Sequence, residues 1–146
     1  MSNIKRVQLL RAIVAGAKAR TAGTGFVDVD LELQEIVGVK RTSPERRRML
    51  LEVLHSTRAL DTALKEVLRS HGVSPQHSLG PILEQLTLLP VGAPGYLTPA
   101  NRARFHRTVR VARNTLAHNA NAFPRSSRET EGILSEIEAC FVFAVK

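Results

Sequence analysis

Apolar residues recur at helical spacing along most of the chain. Val7, Leu10, Val14 and Ala17 form one stripe, with Lys5, Arg6, Arg11 and Lys18 mostly off it, and the run stops at Thr21-Ala22-Gly23-Thr24-Gly25. This predicts a short amphipathic helix and a turn. The next stretch fits two periods. Val27, Val29, Leu31 and Leu33 alternate with Asp28, Asp30, Glu32 and Gln34 as in a half-buried strand, whereas Leu33, Ile36 and Val37 fit a helix. A lone strand would lack a partner, so a helix from about Asp30 is expected, with its acids on a solvated face.

Ser43-Pro44 predicts an N-cap with proline at the first helical position, and Gly72 predicts a stop. Between them Leu50, Leu54, Leu60, Leu64, Val67 and Leu68 mark a long core-facing helix. Gly80-Pro81 opens a shorter one with Ile82, Leu83, Leu86 and Leu89 inward, and Pro90 to Gly95 breaks the chain. Thr98-Pro99 starts a helix expected to reach about Asn119. After a loop to Pro124, Ser126 and Glu129 form a capping box for a last helix carrying Ile133, Ile137, Cys140, Phe141 and Ala144 inward. The expectation is an all-α fold: an antiparallel four-helix bundle over residues 43–146, with residues 1–42 as a helical extension packed on it.

At 146 residues and 43% apolar content, one domain can close its core without disulfides. Cys140, the one cysteine, lies in an apolar run and reads as a buried thiol. The apolar runs fall short of the roughly 18 to 20 residues a membrane span needs, and no apolar leader followed by a small-residue cleavage site is visible. A cytoplasmic location without membrane contact is expected.

Charge adds direction. The net charge is +8, and sixteen of the twenty-one cations are Arg, whose planar fork suits phosphate. Between Gln85 and Ser127 there is no acid, while Arg102, Arg104, Arg107, Arg110, Arg113 and Arg125 all fall there. With one Tyr and no Trp, base stacking would be weak, so an RNA partner would be held chiefly by its phosphates.

On an uninterrupted helix from Thr98, Phe105, Val109, Ala112 and Leu116 share one face, while Arg107, Arg110, Asn114 and His118 fall within about 80° on the opposite one. Arg113 flanks that ridge, and His106 lies near Arg102 and Arg113 on the wheel. A neutral imidazole among guanidinium groups can take a proton from a ribose 2′-hydroxyl while the cations stabilise charge on the phosphorus centre. Such a site requires no metal or cofactor. No P-loop, dinucleotide fingerprint or Gly-x-Ser-x-Gly elbow is present, and His71 and His77 have no cysteine or clustered carboxylate nearby in sequence to suggest zinc. His55, Arg58 and Asp61 share neighbouring turns of the long helix, where an internal ion pair is the expected role and a groove lining the alternative.

Arg113-Asn114-Thr115-Leu116-Ala117-His118 resembles the Arg, polar residue, three-residue spacer and His motif of HEPN domains, helical bundles that include metal-independent endoribonucleases. The motif's setting, at the end of a helix before the last one, is also similar, and the resemblance covers about Ser43 to the C-terminus. It implies a homodimer with two motifs facing a shared RNA cleft. Arg113 would bind the scissile phosphate, Asn114 would orient it and His118 would act as general acid or base. Apart from the resemblance, the acid-free stretch makes Arg102, Arg104, His106, Arg107 and Arg110 candidate RNA contacts, with ordinary solvated side chains as the alternative. The resemblance further implies a toxin or defence effector held by an antitoxin or sensor protein. Some relatives carry a Tyr two places after the His that a partner modifies; Ala120 stands there in this chain. A noncatalytic HEPN-like module binding RNA or protein, and a basic DNA-binding regulator, stay open on the sequence alone.

Overall fold

The computed structural model describes residues 3–21 and 25–146, and every regular element among them is helical. We number six helices: α1 (Asn3–Arg20), α2 (Gly25–Gly38), α3 (Glu45–Ser70), α4 (Leu79–Thr87), α5 and α6 (Ser127–Ala144). Helix α5 is one rod of three consecutive segments, Pro99–Phe105, a π turn at His106–Arg110, and Val111–His118. A single 3₁₀ turn, Val39–Arg41, follows α2. Of the expected turn at Thr21–Gly25, residues 22–24 lie outside the described residues. No helix among the described residues is long and apolar enough to cross a membrane.

The ambiguous segment is helical from Gly25, earlier than Asp30. Its alternation is explained by which positions the helix buries: Phe26, Val29, Leu33 and Ile36 sit inside, while Val27 and Leu31 remain exposed at 42% and 55%. A hydrophobic residue on the outer face mimics a strand pattern without being one.

Helix ends follow local chemistry, with one departure from an expected cap and with α4 starting at Leu79 after Ser78, which makes no side-chain cap bond. Thr98 Oγ1 accepts from the Asn101 amide at 3.2 Å with Pro99 in the first turn. Ser126 Oγ accepts from the Glu129 amide at 3.1 Å, and the Glu129 carboxylate accepts from the Arg125 amide at 2.9 Å. At the end of α3, Gly72 takes a left-handed φ of 74°, its amide reaching Arg69 O and that of Val73 reaching Leu68 O; this double bond closes the helix. The departure is at the start of α3. Pro44 itself is the cap residue, without a side-chain cap bond, and the helix begins at Glu45.

One core unites all six helices. Leu10 of α1, Phe26 and Leu33 of α2, Leu60, Leu64 and Leu68 of α3, Ile82 and Leu86 of α4, Phe105 of α5 and Phe141 of α6 are almost wholly buried. Fully burying each of these larger side chains contributes roughly 1.5 to 3 kcal/mol. The boundary drawn at residues 42 and 43 falls between the 3₁₀ turn and α3, and the core runs across it.

Arg6 departs from its expected place off the apolar stripe. It is 3% exposed, donates to the Glu131 carboxylate and to Ser135 Oγ, and lies 3.6 Å from Glu138 on α6. The α1–α6 seam is therefore apolar with a charged clamp. Cys140 is buried, and desolvation pushes its thiol far above the ordinary range.

Candidate functional site

The π turn determines which way the end of α5 faces. The amide of Val111 bonds to His106 O, five residues back, so one turn holds an extra residue. Compared with an uninterrupted α-helix, the following segment is turned by about one residue, roughly 100°. Burial records that turn. Beyond Val109, half-burial spreads over Ala112, Arg113 and Asn114, with Leu116 buried and Val111, Thr115, Ala117 and His118 exposed. Arg113 and Asn114 thus face α3 rather than open solvent.

Arg113, Asn114 and His118 are brought together. The Arg113 guanidinium donates through one nitrogen to Asn114 Oδ1 at 3.2 Å and to His118 Nε2 at 3.4 Å. Because guanidinium can only donate, Nε2 is the accepting nitrogen in this contact. At 3.4 Å this contact is long and easily exchanged for a ligand. His118 lies at the last turn of the helix, where its imidazole is accessible.

Arg110 reaches the same region. Its guanidinium donates to His106 Nε2 at 3.3 Å, which fixes His106 as an acceptor at that nitrogen and steadies the arginine. Arg110, Arg113 and Asn114 then form one wall of a groove of about 230 Å3, opposite Thr57, Arg58 and Asp61 of α3 and His77 and Ser78 before α4. Among the described residues no carboxylate lies within ion-pair distance of Arg110 or Arg113. Asp61 instead holds Lys65 at 3.0 Å.

Two of the six arginines in the acid-free stretch are neutralised from elsewhere in the fold. Arg102 pairs with Glu84 of α4 at 3.1 Å. Arg104 pairs with Glu136 of α6 at 2.6 Å, which raises its guanidinium further above the usual range, and it covers the Phe105 ring at 5.1 Å. Both were candidate RNA contacts and act instead as inter-helix ties. Arg107 stays exposed. His55 turns away from the groove to Glu32 of α2 at 3.3 Å, while Arg58 both pairs with Glu32 at 2.9 Å and lines the groove.

The opposite wall was only partly legible in sequence. Arg58 and Asp61 carried a spacing signal, but His77 sits in a loop whose position depends on α4 docking. A larger cavity of about 870 Å3 lies elsewhere, beside Arg20, Glu66, Arg69 and His71. Its charged and imidazole groups are already engaged, Arg20 on Val145 O, Arg69 on Glu66 and His71 on Pro94 O, while the buried Thr21 Oγ1 has no partner among the described residues. Among the described residues no three His, Cys, Asp or Glu side chains converge to hold a metal ion.

Neither a family model, nor a curated protein, nor a solved structure matches this chain.

Proposed function

We propose that the chain is a HEPN-type, metal-independent endoribonuclease, acting as a homodimer in a toxin or defence role under the restraint of an antitoxin or sensor protein. The observation that carries this reading is the Arg113 guanidinium joined to both Asn114 and His118 on an accessible helix end. A phosphate entering there would draw Arg113 away from His118 and free the Nε2 lone pair. His118 takes the proton of the ribose 2′-hydroxyl, and O2′ attacks phosphorus. The P–O5′ bond breaks, and the departing oxygen is protonated by the imidazolium just formed or by its mate across the dimer. The products are a 2′,3′-cyclic phosphate and a 5′-hydroxyl. Arg113 stabilises charge on the non-bridging oxygens, and Asn114 holds it in register.

The test uses an RNA cut at a mapped position and the same RNA with a single 2′-deoxyribose there. Cutting should stop at the substituted position while binding persists, and the unmodified product should end in a cyclic phosphate. Cutting through the deoxyribose would refute the mechanism.

A further inference from the structure

The groove between α3 and α5 contains charge that the cleavage chemistry does not use. Three guanidiniums, those of Arg58, Arg110 and Arg113, line it against one carboxylate, Asp61, which is itself held by Lys65. Arg58 is partly neutralised by Glu32, but Arg110 and Arg113 have no acidic partner among the described residues. Each is half-buried, so each forgoes part of its hydration without gaining an ion pair. That is an unfavourable arrangement in the free protein, and an anion in the groove relieves it.

The seating of Arg110 sharpens the point. A Cβ on Gly80 would come within 2.9 Å of Arg110 Nε and 3.2 Å of its Cδ, so the guanidinium stem packs directly on the glycine in the first turn of α4. This end of α4 has no acidic residue in its first turn and no side-chain cap bond. A cation at the positive end of a helix is the wrong sign for stability. Local rules broken in this way are commonest where a ligand completes the arrangement.

Size limits what can enter. About 230 Å3 is less than the roughly 300 to 1,000 Å3 of pockets that enclose a whole small molecule. The groove encloses no more than a phosphate with part of its sugar, the rest of a strand lying outside. Resting on the ribonuclease reading, we infer that this groove is a strand-binding subsite inside each chain. It takes a backbone phosphate of the RNA next to the one being cut. Arg113 borders both places, and Arg110, held by His106 and seated on Gly80, is the principal ligand of the second phosphate.

The experiment measures binding of a fluorescent single-stranded RNA octamer to full-length His118→Ala protein across a salt series. The same measurement is made with Arg110→Ala and with Gly80→Ala added, and circular dichroism reports folding. A lost phosphate contact lowers the slope of log affinity against log salt by about 0.7 on a single strand and weakens binding alike for every sequence. Arg110→Ala should show this. Gly80→Ala, which removes no ligand and favours the helix, should reproduce it by displacing the guanidinium. Slopes unchanged in both folded variants, or no RNA binding by the parent, would overturn the subsite. If the slopes fall while the unmutated protein cuts nothing, the subsite stands and the cleavage reading fails; cutting with unchanged slopes gives the reverse.

Discussion

At the scale of single residues, the Arg113 fork offers the proposed chemistry what a lysine would not. One nitrogen serves Asn114 and His118, leaving the rest of the planar group for a phosphate. Lysine keeps the charge but presents a point donor. Arg113→Lys should therefore leave the melting temperature nearly unchanged and lower single-turnover RNA cleavage by about tenfold or more; cleavage at the parent rate would show that charge alone suffices. The motif was readable because its members lie on one helix, within five positions. The fates of Arg102 and Arg104 were not. An acid-free stretch of sequence says nothing about carboxylates that other helices bring in, and Glu84 and Glu136 arrive from α4 and α6.

At the scale of elements, caps and stops were legible because they are local. Ser126 and Glu129 satisfy amides at the start of α6, so Ser126→Ala should cost about 1 kcal/mol. In a chain of this length that lowers the midpoint of thermal unfolding by about 3 to 4 °C, measurable by calorimetry; an unchanged midpoint would mean the box contributes nothing. The π turn in α5 was not legible. Phe105 and Val109 keep helical spacing on either side of its start, so the apolar pattern reads as an unbroken helix while the residues beyond are turned toward α3. Likewise, the outward Val27 and Leu31 gave α2 a false strand period. Two members of the ridge expected to face away from the protein, Arg110 and Asn114, thus line a groove, while Arg107 and His118 stay exposed.

At the scale of the molecule, α1 is fastened to α6 through Arg6. Removing that guanidinium takes away the cation shared by Glu131 and Glu138, which lie two turns apart on the face of α6 toward α1. Breaking a buried pair costs about 3 to 5 kcal/mol, and the 42% exposure of the Glu131 side chain places Arg6→Ala toward the lower end. Urea denaturation would measure it. The acid response follows from the same contacts. Hydrogen bonding to Arg6 holds the Glu131 carboxyl below its usual range, and Arg11 does the same for Asp30. A depressed folded pKa gives stability that is complete above the ordinary carboxyl values, roughly 4, and is lost as pH falls through the folded ones. Glu52 works the other way, since burial raises its pKa and protonation relieves the cost. Unfolding midpoints of the parent should therefore fall below about pH 4, and Arg6→Ala should flatten that fall.

The all-helical class and the order of helices were readable from periodicity. Residues 1–42 were expected to pack on the rest; how α1 and α2 dock to extend one core from Leu10 to Phe141 was not readable. The proposed chemistry sits at one helix end. Purified protein should be incubated with structured and single-stranded RNA in EDTA beside His118→Ala and Arg113→Ala, with analysis of the product ends. The parent should cut to a 2′,3′-cyclic phosphate, with losses of at least about 100-fold in both folded variants. Cutting that appears only when a divalent metal is added, or that survives in either variant, would contradict that chemistry.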